Sequence, residues 1–306
     1  MVHQRITRQM GNRFEYSVVS DDATWAQDRI SEAINEVARI EKLLTTFSPD
    51  SQVNQVNAAA GVEAIKVDDE VISLVLRVRR ISVMTQGAFD ITYGSIDTSL
   101  WNFDVSMTSL PDPAVAAKSV HLINYRNVVV DQKNSTVFLK KKGMRIGFGG
   151  IGKGYAAECA KRLLESKGVK AGIVNAAGDL TAWGMQPGNI PWTIGIADPN
   201  QARSAFSSMA VSGMAVATSG SYEKFAVIEG KKYSHTIDPG TGMPVTGIKS
   251  VTIICANAEI ADALTTPVMI MGVAAGLHMI NQVKHMGCII VDDDDHVFVS
   301  DNIQCS

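Results

Sequence analysis

The feature that most restricts this chain is the run GFGGIGKGYAAECAKRLL, residues 147–164. Its crowded glycines bring bare backbone close to something at the start of a helix, and the unpaired N–H groups of a helix start attract anions. Gly147, Gly149 and Gly152 satisfy the spacing of the dinucleotide fingerprint, and Gly147 through Lys153 nearly satisfy the P-loop pattern G-x-x-x-x-G-K. Both matches carry a flaw. The P-loop needs Ser or Thr after its lysine and meets Gly154, while the dinucleotide unit needs a buried strand ahead of the glycines and meets KKKGMRI. Two readings stay open on these residues alone: contact with a phosphate, or a plain tight turn into a helix.

Around this run the periodicity gives an α+β fold, with mixed or antiparallel sheets flanked by helices. Phe14, Tyr16 and Val18 alternate as a strand, and Ile30, Ile34, Val37, Ile40 and Leu44 then recur at helical steps behind the capping residues Asp21 and Asp22. A second periodic segment over residues 69–85 places Val71, Leu74, Val78 and Ile81 on one face and ends at Gly87. Residues 128–130 and 137–139 flank a turn and predict a hairpin. A further helix follows Gly154 and stops near Gly168. The second half is rich in β-branched runs, interrupted by two helices near residues 259–271 and 274–284. It closes in a hairpin tipped by residues 292–295, four aspartates that read as a solvated loop because consecutive carboxylates on a tight turn diverge.

Composition excludes some partners. The 306 residues carry 28 Lys and Arg against 31 Asp and Glu, a net charge of −3, so no field draws nucleic acid to the surface. The four cysteines form no C-x-x-C pair and no zinc pattern. No apolar run is read as approaching the roughly 20 residues of a membrane span, and the N-terminus lacks a secretory stretch.

Three further groups offer chemistry. Asp262 and Thr266 lie four apart, which puts carboxylate and hydroxyl on one helix face; oxygen donors suit a hard cation such as magnesium. The competing reading makes Asp262 a first-turn acid and Thr266 a buried hydroxyl bonded to its own backbone. Pro267 is expected to kink that turn. His235 and Asp238 precede a Pro-Gly loop in YSHTIDPGTGMPV, where titratable side chains are more often functional than in a core strand. Asn175, Asp179, Thr218 and Ser219 sit in small-residue turns that either cradle a ligand or merely turn.

Taken in order, MGNRFEYSVV, FSPDSQVNQVN, GAFDITYGSIDTSLWNF, GFGGIGKGYAAECA, VNAAGDLTAWG, ATSGSYEKF, SHTIDPGTGMPV and ADALTT resemble the ApbE family of FAD:protein FMN transferases across nearly the whole chain. The resemblance implies an ApbE-like (T-fold-like) architecture over residues 1–306, as one domain or as two intertwined subdomains with the FAD site between them. It implies magnesium-dependent transfer of FMN from FAD to a Thr or Ser hydroxyl of a partner protein, with release of AMP. The alternatives are an FAD pyrophosphatase giving FMN and AMP, and a flavin-binding protein without turnover. It also turns the balance at Asp262 and Thr266 towards a magnesium pair, with a backbone carbonyl from Gly149 or Gly150 as a third ligand.

By the same resemblance Gly149, Gly150, Gly152, Lys153, Asn175, Asp179, Thr218, Ser219 and His235 line the FAD site. His235 or Asp238 serves as proton acceptor. The implied acceptors are flavinylated subunits of sodium-pumping NADH:quinone reductase, Rnf-type complexes or flavin-dependent reductases. The implied location is extracytoplasmic with a signal trimmed, or cytoplasmic if the chain is complete as written. The sequence departs from the family pattern at Phe47 (often Tyr), Gly147 (often Asp), Ala177 (often Gly) and Pro267.

Overall fold

The computed structural model of the chain describes residues 1–100, 107–197, 205–221 and 225–303. Residues 101–103 of GAFDITYGSIDTSLWNF, 198–199 of PWTIGIADP and 222–224 of ATSGSYEKF, together with Cys305, lie outside the described residues. Along the first half run β1 (Val2–Gln9), β2 (Asn12–Val19), α1 (Ala23–Leu44), α2 (Gln52–Ala58), β3 (Ile65–Lys66), α3 (Asp69–Met84), α4 (Pro113–Ser119), β4 (Val128–Asp131), β5 (Thr136–Leu139) and α5 (Gly152–Ser166). The second half carries β6 (Gly172–Ala176), β7 (Asp179–Trp183), β8 (Thr193–Ala197), β9 (Ala205–Ala210), β10 (Ala215–Gly220), β11 (Phe225–Ile228) and β12 (Lys231–Ser234). It ends with β13 (Ile248–Cys255), α6 (Ala258–Asn281), β14 (Gly287–Asp292) and β15 (Val297–Val299).

An antiparallel sheet in the order β1-β2-β6-β7-β10-β13-β14-β15 runs through the centre. Helices α1, α5 and α6 lie on one face of it. The alternation read in β2 has its physical cause here: Phe14, Tyr16 and Val18 are fully buried against those helices. Each such side chain contributes about 1.5–3 kcal/mol of burial. The opposite face packs Leu180, Ala182 and Val216 under Trp192 and Val211 beside the β8–β9 hairpin. Strand β7 is therefore buried on both faces, and it is the strand that carries Asp179. The architecture is α+β with antiparallel sheets and flanking helices, as the pattern predicts.

Local details depart from the sequence reading. Strand β1 falls where no element is expected, because its side chains alternate between half-buried and exposed rather than between core and solvent. It is an edge strand, joined to β2 by a two-residue turn at Met10 (φ 50°) and Gly11 (φ 73°), the left-handed pair that tight hairpins require. The short helices α2 and α4 are likewise unforeseen, their seven residues being too few for a period to show. Asp22, not Asp21, caps α1, accepting from Trp25 N at 2.9 Å.

The two expected C-terminal helices are both present: they share the label α6 but are divided at Gly272 (φ 83°, ψ 170°), in the gap where the sequence separates them. The break is at this glycine and not at the turn carrying Thr266. Proline's fixed φ is compatible with a helix and removes one donor, whereas only glycine takes a left-handed angle without a Cβ penalty. By length and composition alone residues 258–281 are apolar enough to cross a membrane, although the break at Gly272 divides the stretch. It is apolar because it packs against α5 and against β7, β10, β13 and β14.

Candidate active site

The glycine run delivers the chain into α5, a helix with no side-chain cap of its own. A residue from another helix supplies the missing acceptor: Oδ2 of Asp262, on α6, accepts the Gly154 N–H at 2.8 Å. A Cβ on Gly154 would lie 2.1 Å from the carbonyl oxygen of Ala258 and 2.6 Å from Cβ of Asp262, so only glycine lets the helices approach this closely. At Gly152 a Cβ would meet the movable tip of Met10 at 3.3 Å, and at Gly149 it would meet nothing within 4 Å. The position most intolerant of a side chain is thus Gly154, and the reason is helix packing.

Lys153, one residue earlier, pairs with Asp179 and stands 3.6 Å from Oδ1 of Asp262. Both aspartates are buried, 3% and 4% exposed. Asp179 follows a tight turn at Ala177 (φ 55°) and Gly178 (φ 103°), where Asn175 Oδ1 holds the Gly178 N–H at 2.8 Å. The backbone of Thr218, to a lesser degree than Lys153, favours the charged form of the Asp179 carboxyl. Burial, and next the negative charge of Asp262, push the Asp179 carboxyl well above the ordinary carboxylate range, against the opposing pull of Lys153. Two buried carboxylates thus share one lysine beside the start of a helix, an arrangement that draws a proton or a cation to them.

Strand β10 adds hydroxyls. Ser219 Oγ and Thr265 Oγ1 are 2.7 Å apart, and Thr265 also donates to the Asp262 carbonyl at 2.9 Å. Thr218 Oγ1 pairs with Thr252 Oγ1 at 2.9 Å. Thr266, half-buried, stands one turn beyond Asp262 on the same face of α6. The donor set around Asp262 and Thr266 is all oxygen, charged at one member and neutral at the other, which fits a hard divalent cation and fits a soft one poorly.

One cavity opens on this centre at Lys153, and a second touches α6 farther along, at Ile270. The first, of about 360 Å³, is lined by Met10, Thr46, Phe47, Phe148, Gly149 and Lys153 among others. The β1–β2 turn forms part of its wall, and Phe47 stands at it 96% exposed. The other, of about 320 Å³, is lined by Asp90, Tyr125, Arg126, Asp238, Pro239 and Ile270 among others. Ile270 lies one turn past Thr266 on α6, so this cavity continues the face that carries the two oxygen donors.

Of the residues singled out in the sequence, Lys153, Asp179 and Asp262 come together directly. Thr218 and Ser219 join them through Asp179 and Thr265. Gly149 and Gly152 line the larger cavity, Gly150 packs beside Phe89, and Asn175 braces the turn ahead of Asp179. Asp238 is turned to its own loop, accepting from Gly240 N at 2.8 Å and from the Thr241 hydroxyl at 3.1 Å. His235, half-buried, begins that loop. The sequence reading missed the cavity walls Met10, Asp90 and Tyr125, which carry no local pattern and are brought in by tertiary packing.

Residues 10–290 match the ApbE family. An FAD:protein FMN transferase of Klebsiella pneumoniae (strain 342) is 29% identical over 293 residues, covering 95% of this chain and 89% of that protein. One of Salmonella typhimurium is 30% identical over 269 residues, covering 86% and 77%. Among solved structures, the ApbE protein of Thermotoga maritima superposes with a TM-score of 0.88 at 29% identity, covering 98% of this chain and 97% of that one. The flavinyl transferase ApbE of Pseudomonas stutzeri, in its apo form, gives 0.86 at 26% identity, covering 99% and 95%.

Proposed function

The chain belongs to the ApbE family, and on that footing we propose that it transfers FMN from FAD to a Thr or Ser hydroxyl of a partner protein, releasing AMP. The observation that carries this reading is the Lys153–Asp179–Asp262 group at the start of α5, with a cavity that Lys153 itself lines. Two buried carboxylates suit a divalent cation, and the lysine between them suits the diphosphate that accompanies it.

Asp262 and Thr266, with a carbonyl from Gly149 or Gly150, would hold magnesium, which when bound neutralises charge on the diphosphate. Lys153, which lines the larger cavity, orients the phosphates. The cavity walled by Met10, Phe47 and Phe148 takes the flavin side, and the cavity at Tyr125 and Ile270 takes the AMP side. The acceptor oxygen forms a bond to the FMN phosphorus as the bond from that phosphorus to the AMP phosphate oxygen breaks. The hydroxyl proton passes to a base on the 235–238 loop. We favour His235, since both oxygens of Asp238 already accept bonds from their own loop. The chain works as one domain, with the site where its sheet, α5 and α6 meet.

The test is AMP release from FAD and magnesium, measured with and without a threonine-bearing acceptor peptide. At least roughly a tenfold rise on adding peptide, about 1.4 kcal/mol of barrier, with an FMN mass increment on the peptide, is expected. Equal AMP release without peptide and no adduct would make the protein a pyrophosphatase instead.

A further inference from the structure

We infer that Glu158, which lies outside the metal pair and both cavities, is a positioning residue that sets where Asp262 stands and so fixes the affinity of the site for its divalent cation; this rests on the transferase reading above. Glu158 is a carboxylate on α5 only 5% exposed. Its Oε2 accepts the backbone N–H of Ala258, the first residue of α6, at 3.1 Å. Its Oε1 faces Arg162 Nε at 3.5 Å and Lys161 Nζ at 3.9 Å, which compensate its charge.

The bond is one half of a reciprocal arrangement. Asp262 of α6 accepts from the first turn of α5 at Gly154, and Glu158 of α5 accepts from the first turn of α6 at Ala258. Residues 154 and 158 are one turn apart, as are 258 and 262, so the two bonds sit side by side across one helix crossing. Gly154 permits the contact and the two carboxylates set its register. Neighbouring Glu259 is held separately by Arg77 of α3 at 2.6 Å, which ties α6 to α3 and not to α5. Four helical steps lead from Ala258 to Asp262, a rigid arm of about 6 Å. Any slip of Ala258 along α5 is therefore carried to the carboxylate that faces Lys153.

Without Glu158 the Ala258 N–H is left buried and unpaired, and α6 moves to satisfy it. The geometry of the Asp262 site then changes while its chemistry is untouched. In Glu158→Ala the magnesium concentration for half-maximal AMP release should rise at least tenfold, with kcat at saturating magnesium preserved. Binding of Mn²⁺ in the presence of FAD, followed by electron paramagnetic resonance, should weaken by the same factor. Glu158→Asp, too short to reach Ala258 and less disruptive to folding, should behave likewise. Glu158→Gln retains an acceptor oxygen and should restore near wild-type binding. Leu164→Ala, a buried change farther along α5, controls for lost stability: it should lower the melting temperature and leave metal dependence alone. Wild-type Mn²⁺ binding in Glu158→Ala and Glu158→Asp, or an equal weakening in Leu164→Ala, overturns the positioning role alone. Absence of Mn²⁺ binding and of metal-dependent AMP release in the wild type overturns the transferase reading and this inference with it.

Discussion

Two sets of aspartates meet opposite fates in this fold. Residues 292–295 crowd four carboxylates into the tip of the β14–β15 hairpin, and there Asp292 accepts from Asp294 N at 2.9 Å and from His296 N at 2.8 Å. Asp292, Asp294 and His296 present ligand atoms within 4.8 Å of one another, yet the tip is exposed and its bonds hold the turn and tie it to Gly247 and Lys249 beside it. Asp179 and Asp262, far apart in sequence, are buried side by side with a single lysine between them. Density of charge along the chain thus marks a solvated turn, and convergence of charge across elements marks the site. Water screens the first set; protein surrounds the second, where each charge is felt in full.

The largest effect that separates the two sets is expected from Asp262→Ala. It removes the charged donor and the cap on α5 together, so AMP release should fall at least roughly a thousandfold, about 4 kcal/mol of barrier. The melting temperature should also drop, since the Gly154 N–H loses its partner. A variant that keeps its activity at low magnesium would remove Asp262 from the metal site.

Next comes Gly154→Ala, which forces a methyl into the Ala258 carbonyl 2.1 Å away. Urea unfolding should show a loss of about 3 kcal/mol. An unchanged midpoint would mean that the crossing is looser than its distances imply.

A smaller effect, of opposite sign, should come from Ala177→Gly. Ala177 holds a left-handed φ of 55° in the turn that delivers Asp179, and relieving it should stabilise the protein by about 1 kcal/mol in the same assay. Least of all is expected from Asp294→Asn at the hairpin tip, which should leave AMP release and melting temperature at wild-type values. A loss of activity there would break the contrast between the two clusters.

Much of this was legible before the fold was known, and for identifiable reasons. Long periodic segments such as those around Ile30 and Val71 declare themselves because burial repeats with the helix, and α1 and α3 lie where the pattern puts them. The glycine run announces close approach, but not of what: at Gly154 the neighbour is another helix, a fact that no local pattern holds. Strand β1 escaped notice because an edge strand need not alternate between apolar and polar residues. Asp262 and Thr266 were visible as a spaced pair, whereas Asp179 drew attention only as part of a small-residue turn. Its importance comes from lying opposite Lys153, an encounter set by sheet order. Glu158 looked like any charged helix residue, since burial of a lone glutamate is a tertiary event.

The crossed caps between α5 and α6 also limit how such a chain can change over generations. Gly154 touches both Ala258 and Asp262, and Glu158 shares Ala258 with it, so these four positions form one unit of inheritance. A side chain at 154 demands that 258 retreat, and retreat of 258 displaces 262 before any compensating change has arisen at 158. Each single step passes through an intermediate worse than its parent, which confines drift to the outward faces of the two helices. Variety between related proteins should accordingly gather at the cavity walls, where Met10, Phe47 and Tyr125 can be exchanged one at a time.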